Sequence, residues 1–471
     1  MAICEIEIGT LEHYFSMDKE IIYVRDLRHN GYKLIKEALA SDDVVVYQAN
    51  VGRKTEKKRW LKHTTYGMSS PVTMNIELSN GCKILDYSIF DNKVGVTLEE
   101  MEYLLPVLEG YGNLNSGCKI IDSLLDNTLK RNASVCSPAE KKYYFMLDEA
   151  FRGGANYVFK KNVEIEDEIH IDYHQLYASC MMDHNFPDLA PFVKEGYFPH
   201  EFAIYAISGG RAKLKKSGYP ILPCKKLDTF GTEMFGASGQ WCPLKQLGSI
   251  CTPDLELLFE NYDVEDLEIA LTMYYPSCFN GKKAFNSIID KIYKERQTAT
   301  GSRKRFYKLM NEYLAGYFER TSHGVSTWWK TLEPPEFKRK AGTIYNPKIG
   351  IFITAYGRQK LNALLHLLPK GKVIGYDTDA GFFEGKKEEI PQSVLKWFGE
   401  GMGFLHYDGI LKNVTHKASK SYYGYDVEAQ EYFIKQSGSP KSGYSYYWDK
   451  EKKEYVLKEV KKKDETRQHT L

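Results

Sequence analysis

Apolar and polar positions along the chain mark out short, dense elements. Residues 43–47 (DVVVY) form an apolar run at strand length, and 97–109 (TLEEMEYLLPVLE) carries apolar residues at helical spacing. In residues 151–159 (FRGGANYVF) a glycine pair interrupts two apolar runs, which predicts a tight turn or a close approach of backbone to a ligand. Residues 169–173 (IHIDY) alternate as a strand does and pass directly into HQLYASCMM, a turn entering a helix. Residues 185–280, rich in glycine and proline, read as mostly loop, and Gly209-Gly210 as a loop pair. Helical spacing returns at 285–293 and 306–318, followed by a breaker segment, 321–347. Residues 350–368 (GIFITAYGRQKLNALLHLL) predict a long buried helix. VIGY, the turn residues DTDA, and GFFEG (373–385) predict a β-hairpin. The charged tail, 448–471, frays or forms an edge element.

Length narrows this to two to four structural units, because the chain has 471 residues. Hydrophobic residues make up 43% and charged residues 27%, which excludes disordered and low-complexity classes. No apolar run reaches the ~18 residues of a membrane span, and the acidic N-terminus lacks the basic start of a secretory signal. An intracellular, cytoplasmic protein with no membrane partner is expected. Nine cysteines without a CxxC pair give no zinc ribbon or thioredoxin motif. Net charge is only +2, yet residues 281–330 hold 11 Lys and Arg against 4 Asp and Glu. That local field suits phosphates, and the 35 tyrosines of the whole chain allow aromatics next to bases, as on a nucleic-acid surface; a solvated helix face with core tyrosines fits equally well.

The candidate chemistry lies in three segments. Asp377 and Asp379 sit two apart at the hairpin tip, where clustered carboxylates call for a cation such as Mg²⁺. Taken alone, they fit an Asp-rich turn as well. Asp172 ends a strand just before a helix whose first turn offers backbone N–H groups to a phosphate. It would supply the further carboxylate that holds two metals ~3.5–4 Å apart. Arg296, Lys304 and Lys308 fall on one stripe if the helix runs unbroken through TATG (298–301). A basic stripe facing carboxylates suits nucleotidyl transfer.

In this order the segments resemble family B DNA polymerases, specifically the protein-primed branch of phages, adenoviruses and linear plasmids. DYHQLYAS (172–179) resembles the family's motif A, DxxSLYPS, KLMNEYLAG (308–316) its motif B, KxxxNSxYG, and YDTDA (376–380) its motif C, YxDTDS. Lys420-Ser421-Tyr422 resembles KxY, and FRGG (151–154) resembles the YxGG turn between exonuclease and polymerase domains. The resemblance implies an α+β right-hand polymerase with a reduced N-terminal exonuclease-like α/β domain. Residues 1–150 would be that domain and 151–280 a palm with a priming-protein insertion. Residues 281–320 would be fingers, 321–422 the second part of the palm with a hairpin insertion, and 423–471 thumb and tail.

By the same resemblance Asp172 and Asp379 would ligate two Mg²⁺ ions, with Mn²⁺ as a substitute, and Asp377 would assist. The Tyr173 carbonyl would join the nucleotide-bound metal. Tyr177 would pack under the sugar of a dNTP and exclude a 2′-hydroxyl. Arg296, Lys304 and Lys308 would hold the triphosphate. Lys420 and Tyr422 would contact the primer end, and Arg152, Gly153 and Gly154 the template strand. Primer–template DNA, dNTPs and a terminal priming protein are the implied partners, in replication of a phage or mobile element.

The chain also departs from the pattern. Motif A has Gln175 and Ala178 in place of Ser and Pro, and motif C ends in Ala380; no carboxylate is lost. Glu312 and Ala315 replace the Asn and Tyr of motif B, which predicts loosened base selection. Lys54 and Val107 stand where the exonuclease motifs place Asp, and neither side chain can ligate Mg²⁺, so no 3′–5′ proofreading is expected. Glu5 and Glu7 echo the first exonuclease motif. Primer-independent synthesis, or a catalytically silent nucleic-acid-binding protein, are the alternatives. No G-x-x-x-x-G-K-[ST] and no GxSxG occurs.

Overall fold

The computed structural model describes residues 2–4, 11–16, 21–24, 44–48, 74–86, 137–225, 232–318, 321–322, 340–341, 346–436, 443–449 and 454–460. The chain divides into two compact units. One comprises Met1–Ser123, Glu295–Met310 and Ser437–Leu471, the other Leu124–Lys294 and Asn311–Gln436.

In the first unit five strands form a mixed sheet: β1 (Ala2–Cys4), β2 (Ile21–Val24), β3 (Val44–Gln48), β4 (Met74–Leu78) and β5 (Lys83–Asp86), in the order β1-β2-β5-β4-β3. β1, β2 and β5 run parallel, while β4 is antiparallel to both its neighbours. Ile22, Ile76 and Ile84 are fully buried, each contributing roughly 1.5–3 kcal/mol of transfer free energy. The strand expected at 43–47 is β3. The charged tail contributes a two-stranded hairpin, Gly443–Asp449 with Glu454–Val460. The helix expected at 97–109, and the exonuclease-motif positions Glu5, Glu7, Lys54 and Val107, lie outside the described residues.

The second unit is built on a seven-stranded antiparallel sheet. Its strands are β6 (Asn156–Val158), β7 (Glu164–Tyr173), then β10 (Val373–Asp377), β11 (Ala380–Glu384), β12 (Leu405–Ala418), β13 (Ser421–Asp426) and β14 (Glu431–Gln436). The order is β14-β13-β12-β7-β11-β10-β6, which places β7 at the centre. β7 alternates: Ile169 and Ile171 enter the apolar core, while Glu168, His170 and Asp172 project from the other face. Against the core face lies helix α5 (Pro347–Leu367), whose Leu361, Leu364 and Leu365 are fully buried. Pro347 starts it at a position where a missing N–H costs nothing. The expected helix at 350–368 and hairpin at 373–385 are both present. The sheet continues through β13 and β14, so the boundary expected at residue 423 falls inside β13.

Residues 185–280 differ most from expectation. They hold two long paired strands, β8 (Ala203–Leu214) and β9 (Tyr262–Tyr274), and helix α2 (Thr252–Asn261). β8 carries Gly209 and Gly210 inside it, at shifts in the β8–β9 register. A β-carbon at Gly209 would meet Glu268 Oε2 at 2.4 Å, and Gly210 has φ +97°. The glycines therefore serve a bulged ribbon, not a loop.

Candidate active site

β7 ends at Tyr173, and the chain turns through Gln175, in the left-handed region at φ +53°, into helix α1 (Leu176–Asp183). The turn is fixed by neighbours. The His174 N–H donates to Phe404 O at 2.8 Å, and Gly403 N–H donates to His174 O at 2.7 Å. Gln175 Oε1 accepts from Asn311 Nδ2 at 2.8 Å, which joins the motif A turn to the motif B helix.

The three motif aspartates share one sheet. Asp172 pairs with Ala380 on β11, and the β10–β11 turn presents Asp377 and Asp379 beside it. That turn is tightly held. Tyr173 N–H donates to Asp379 O at 3.1 Å, Thr378 N–H to Ala155 O at 2.7 Å, and Asp379 N–H to Asp377 O at 2.7 Å. Asp377 Oδ1 lies 2.9 Å from Lys420 Nζ and accepts from Thr378 Oγ1 at 3.1 Å. A lysine cation thus already balances one carboxylate. Among the described residues, a second donor group also shares Asp172. One oxygen or nitrogen from each of Asp172, His406 and Asp408 lies within 4.8 Å of the others.

Tyr177, in the first turn of α1, sits against two backbones. A β-carbon at Gly357 would fall 2.7 Å from its Cε1, and one at Gly154 would fall 2.9 Å from its hydroxyl and 2.6 Å from Thr378 Cγ2. Burial, reinforced by the nearby charges of Asp379 and Asp377, pushes the Tyr177 phenol up, so it stays protonated at neutral pH. Gly154 is therefore required by Tyr177 and Thr378, whereas Gly153 is exposed with open space at its α-carbon. Tyr173 keeps its side chain inside, donating to Lys360 O at 3.0 Å.

No protein-family model matches the sequence, and no curated protein matches it. Solved structures do. Phi29 DNA polymerase complexed with primer-template DNA and incoming nucleotide matches with a TM-score of 0.70 at 16% identity, over 96% of this chain and 93% of that one. The same polymerase complexed with single-stranded DNA gives 0.65 at 16% identity, over 92% and 86%. This chain has the phi29 polymerase fold.

Within the phi29-type fold, two expected contacts turn inward. Arg152 is buried, donating to Pro223 O at 3.0 Å, Ala150 O at 3.2 Å and Leu247 O, with Asp254 at 4.0 Å. These partners occupy its guanidinium inside the protein. Tyr422 is 4% exposed, its ring 4.7 Å from His416 and 5.5 Å from His170. It is a core aromatic; Lys420 stays accessible at the same turn and Tyr423 is the exposed ring. The aromatic cluster surrounds a buried carboxylate. Burial alone would raise the Glu168 pKa, but hydrogen bonds from His170 at 2.6 Å and His416 at 2.9 Å hold it below its usual range.

The basic segment is two helices of the phi29-type fold, α3 (Gly281–Thr298) and α4 (Gly301–Tyr317). The chain breaks at the TATG residues, with Gly301 at φ +52°. Arg296 on α3 therefore does not share a helix with Lys304 and Lys308, which lie exposed one turn apart on α4. All three belong to the 295–310 stretch of the first unit. The side chains of Glu312 and Ala315 lie outside the described residues.

Sequence reasoning passed over Arg358, Asp254, His406 and Asp408. Arg358 donates to both Asp254 carboxylate oxygens, at 2.8 and 2.7 Å, and from Nη1 to the carbonyls of Arg152 and Gly153 at 2.8 and 2.7 Å. An arginine in the middle of a helix apolar on every side was the available signal, since such a charge needs a partner. His406 gave no signal, because its nearness to Asp172 arises from strand pairing alone.

Proposed function

We propose that the protein is a DNA-directed DNA polymerase of family B, protein-primed branch, acting through two divalent ions and lacking 3′–5′ proofreading. The observation that carries this is the meeting of Asp172 with the Asp377–Asp379 turn on adjacent strands of a phi29-type sheet. In this reading the seven-stranded sheet is the palm, α3 and α4 the fingers, the chain beyond β14 the thumb, and the first unit's five-stranded sheet the reduced exonuclease-like domain.

The donor set fits hard divalent ions: carboxylates on neighbouring strands, one already balanced by a lysine. Asp172 and Asp379 would hold the ions, with Asp377 and the Tyr173 carbonyl assisting. When bound, such ions lower the pKa of a 3′-hydroxyl and balance charge on the transferring phosphate. The chain's own residues do the rest. Arg296, Lys304 and Lys308 bind the triphosphate, and Lys420 orients the primer end while restraining Asp377. Gly153 lets a template phosphate approach the backbone. Tyr177, neutral and seated between Gly154 and Gly357, closes the space beneath the deoxyribose.

Primer extension on a defined primer–template, with four dNTPs and Mg²⁺, tests the reading. The expected product ends at the template's 5′ end, and a mismatched primer terminus persists without excision. Folded protein that extends neither a DNA nor a protein primer, and makes nothing without a primer, overturns it. Replacing the gate should also change sugar choice. Tyr177→Val is expected to raise ribonucleotide incorporation relative to dNTPs by about 10²-fold, the scale at which pocket shape discriminates. An unchanged kcat/KM ratio between dCTP and CTP would remove Tyr177 from this role.

A further inference from the structure

Asp172 has a neighbour on each flank. Ala380 on β11 lies on one side, next to the motif aspartates, and His406 on β12 lies on the other. The motifs account for the first flank only. On the second, the β12 register shifts between Tyr407 and Gly409, which makes Asp408 the extra residue of a bulge. Bulges re-aim side chains, and here Asp408 joins His406 and Asp172 with donor atoms all within 4.8 Å. Six-coordinate ligands at ~2.1 Å from one ion lie roughly 3.0–4.2 Å apart, so small rotations of these side chains close the set.

The His406 ring is also held in place. It stacks face to face on His174, centroids 3.7 Å apart and planes 2° apart. His174 is in turn fixed through its backbone to Phe404 and Gly403. A ligand whose ring plane is set by its surroundings loses little freedom on binding an ion.

We propose that the β7–β12 flank is a cation site in which His406 supplies an imidazole nitrogen beside the carboxylates of Asp172 and Asp408. The donor types select the ion. Mg²⁺ takes oxygen ligands and dehydrates reluctantly, whereas imidazole suits transition-series ions. The site therefore takes Mn²⁺ and its transition-metal neighbours in preference to Mg²⁺. Its existence rests on the geometry of β7 and β12; its link to nucleotide transfer, through the shared Asp172, rests on the polymerase reading above.

Mn²⁺ is the probe, because it is paramagnetic. Pulsed electron paramagnetic resonance of the full-length protein with one equivalent of Mn²⁺ is expected to show ¹⁴N coupling from a bound imidazole. The coupling should vanish in His406→Gln and persist in His174→Gln. Mn²⁺ Kd should rise about tenfold or more in His406→Gln, the lower end of what even outer ligand partners cost, while Mg²⁺ affinity measured by competition stays within about threefold. No ¹⁴N coupling in the wild type, coupling that survives His406→Gln, or an equal loss of Mg²⁺ and Mn²⁺ affinity would each overturn the proposal. If His406→Gln does not fold, the wild-type spectrum still decides, with Asp408→Asn as the second variant expected to weaken Mn²⁺. Failure of the polymerase reading looks different: no primer extension with either ion, and Mn²⁺ coupling intact.

Discussion

Asp379→Asn is expected to lower primer extension by about 10³-fold or more, with the folded structure and DNA binding retained. Asparagine has nearly the same shape, and the groups that build the turn are backbone: Asp379 O accepts from Tyr173 N–H, and Asp379 N–H donates to Asp377 O. Neither bond changes. What disappears is one negative charge from the proposed ion site, whose Asp377 is already balanced by Lys420. A 10³-fold loss is about 4 kcal/mol of transition-state stabilisation, within reach of a metal contact. Single-turnover extension with saturating dNTP measures it, and a gel-shift with the same primer–template reports binding. A variant keeping more than a tenth of the wild-type rate would take Asp379 out of the reacting centre.

The second large effect falls on stability. Arg358→Ala is expected to cost about 3–5 kcal/mol, because it strands the Asp254 carboxylate in the interior. Arg358 side-chain exposure is 1% and that of Asp254 is 0%, so water cannot replace the lost partner. Arg152 remains 4.0 Å from Asp254 but is engaged with three carbonyls, and offsets only part of the loss. The same substitution releases the Arg152 and Gly153 carbonyls, which loosens the turn leading to Gly154 and the Tyr177 seat. Urea unfolding measures the stability change, and dNTP KM should rise in whatever fraction remains folded. The paired change Arg358→Met with Asp254→Leu should cost less than Arg358→Ala, since it leaves no uncompensated charge. An Arg358→Ala midpoint equal to the wild type would show that the pair contributes nothing net.

Local signals were legible where the chemistry is local. The strand at 169–173, the helix at 350–368 and the hairpin at 373–385 each follow from side-chain periodicity, and each is present as β7, α5 and β10–β11. The ribbon at 203–274 was not legible, because Gly209 and Gly210 signal a turn unless the partner strand is known; Glu268 and Asp266 on β9 explain them. The TATG break was visible as an interruption, but its consequence, Arg296 and Lys304 on separate helices, needed the structure.

Overall sequence identity with the phi29 polymerase is 16%, so the likeness spread along the chain is one of shape. The candidate carboxylates nevertheless stood out, because Asp at a strand end and Asp-x-Asp at a hairpin tip are short local patterns. From sequence alone came the identity and order of those carboxylates, the segments that bear them, and the resemblance that gave them roles. Only tertiary structure could decide which charged and aromatic side chains face outward. Arg152 and Tyr422 belong to motifs yet lie inside, since burial depends on the carbonyls and rings that other segments bring to them. His406 and Asp408 belong to no motif yet reach Asp172, because strand register and a bulge bring together residues more than 230 positions apart.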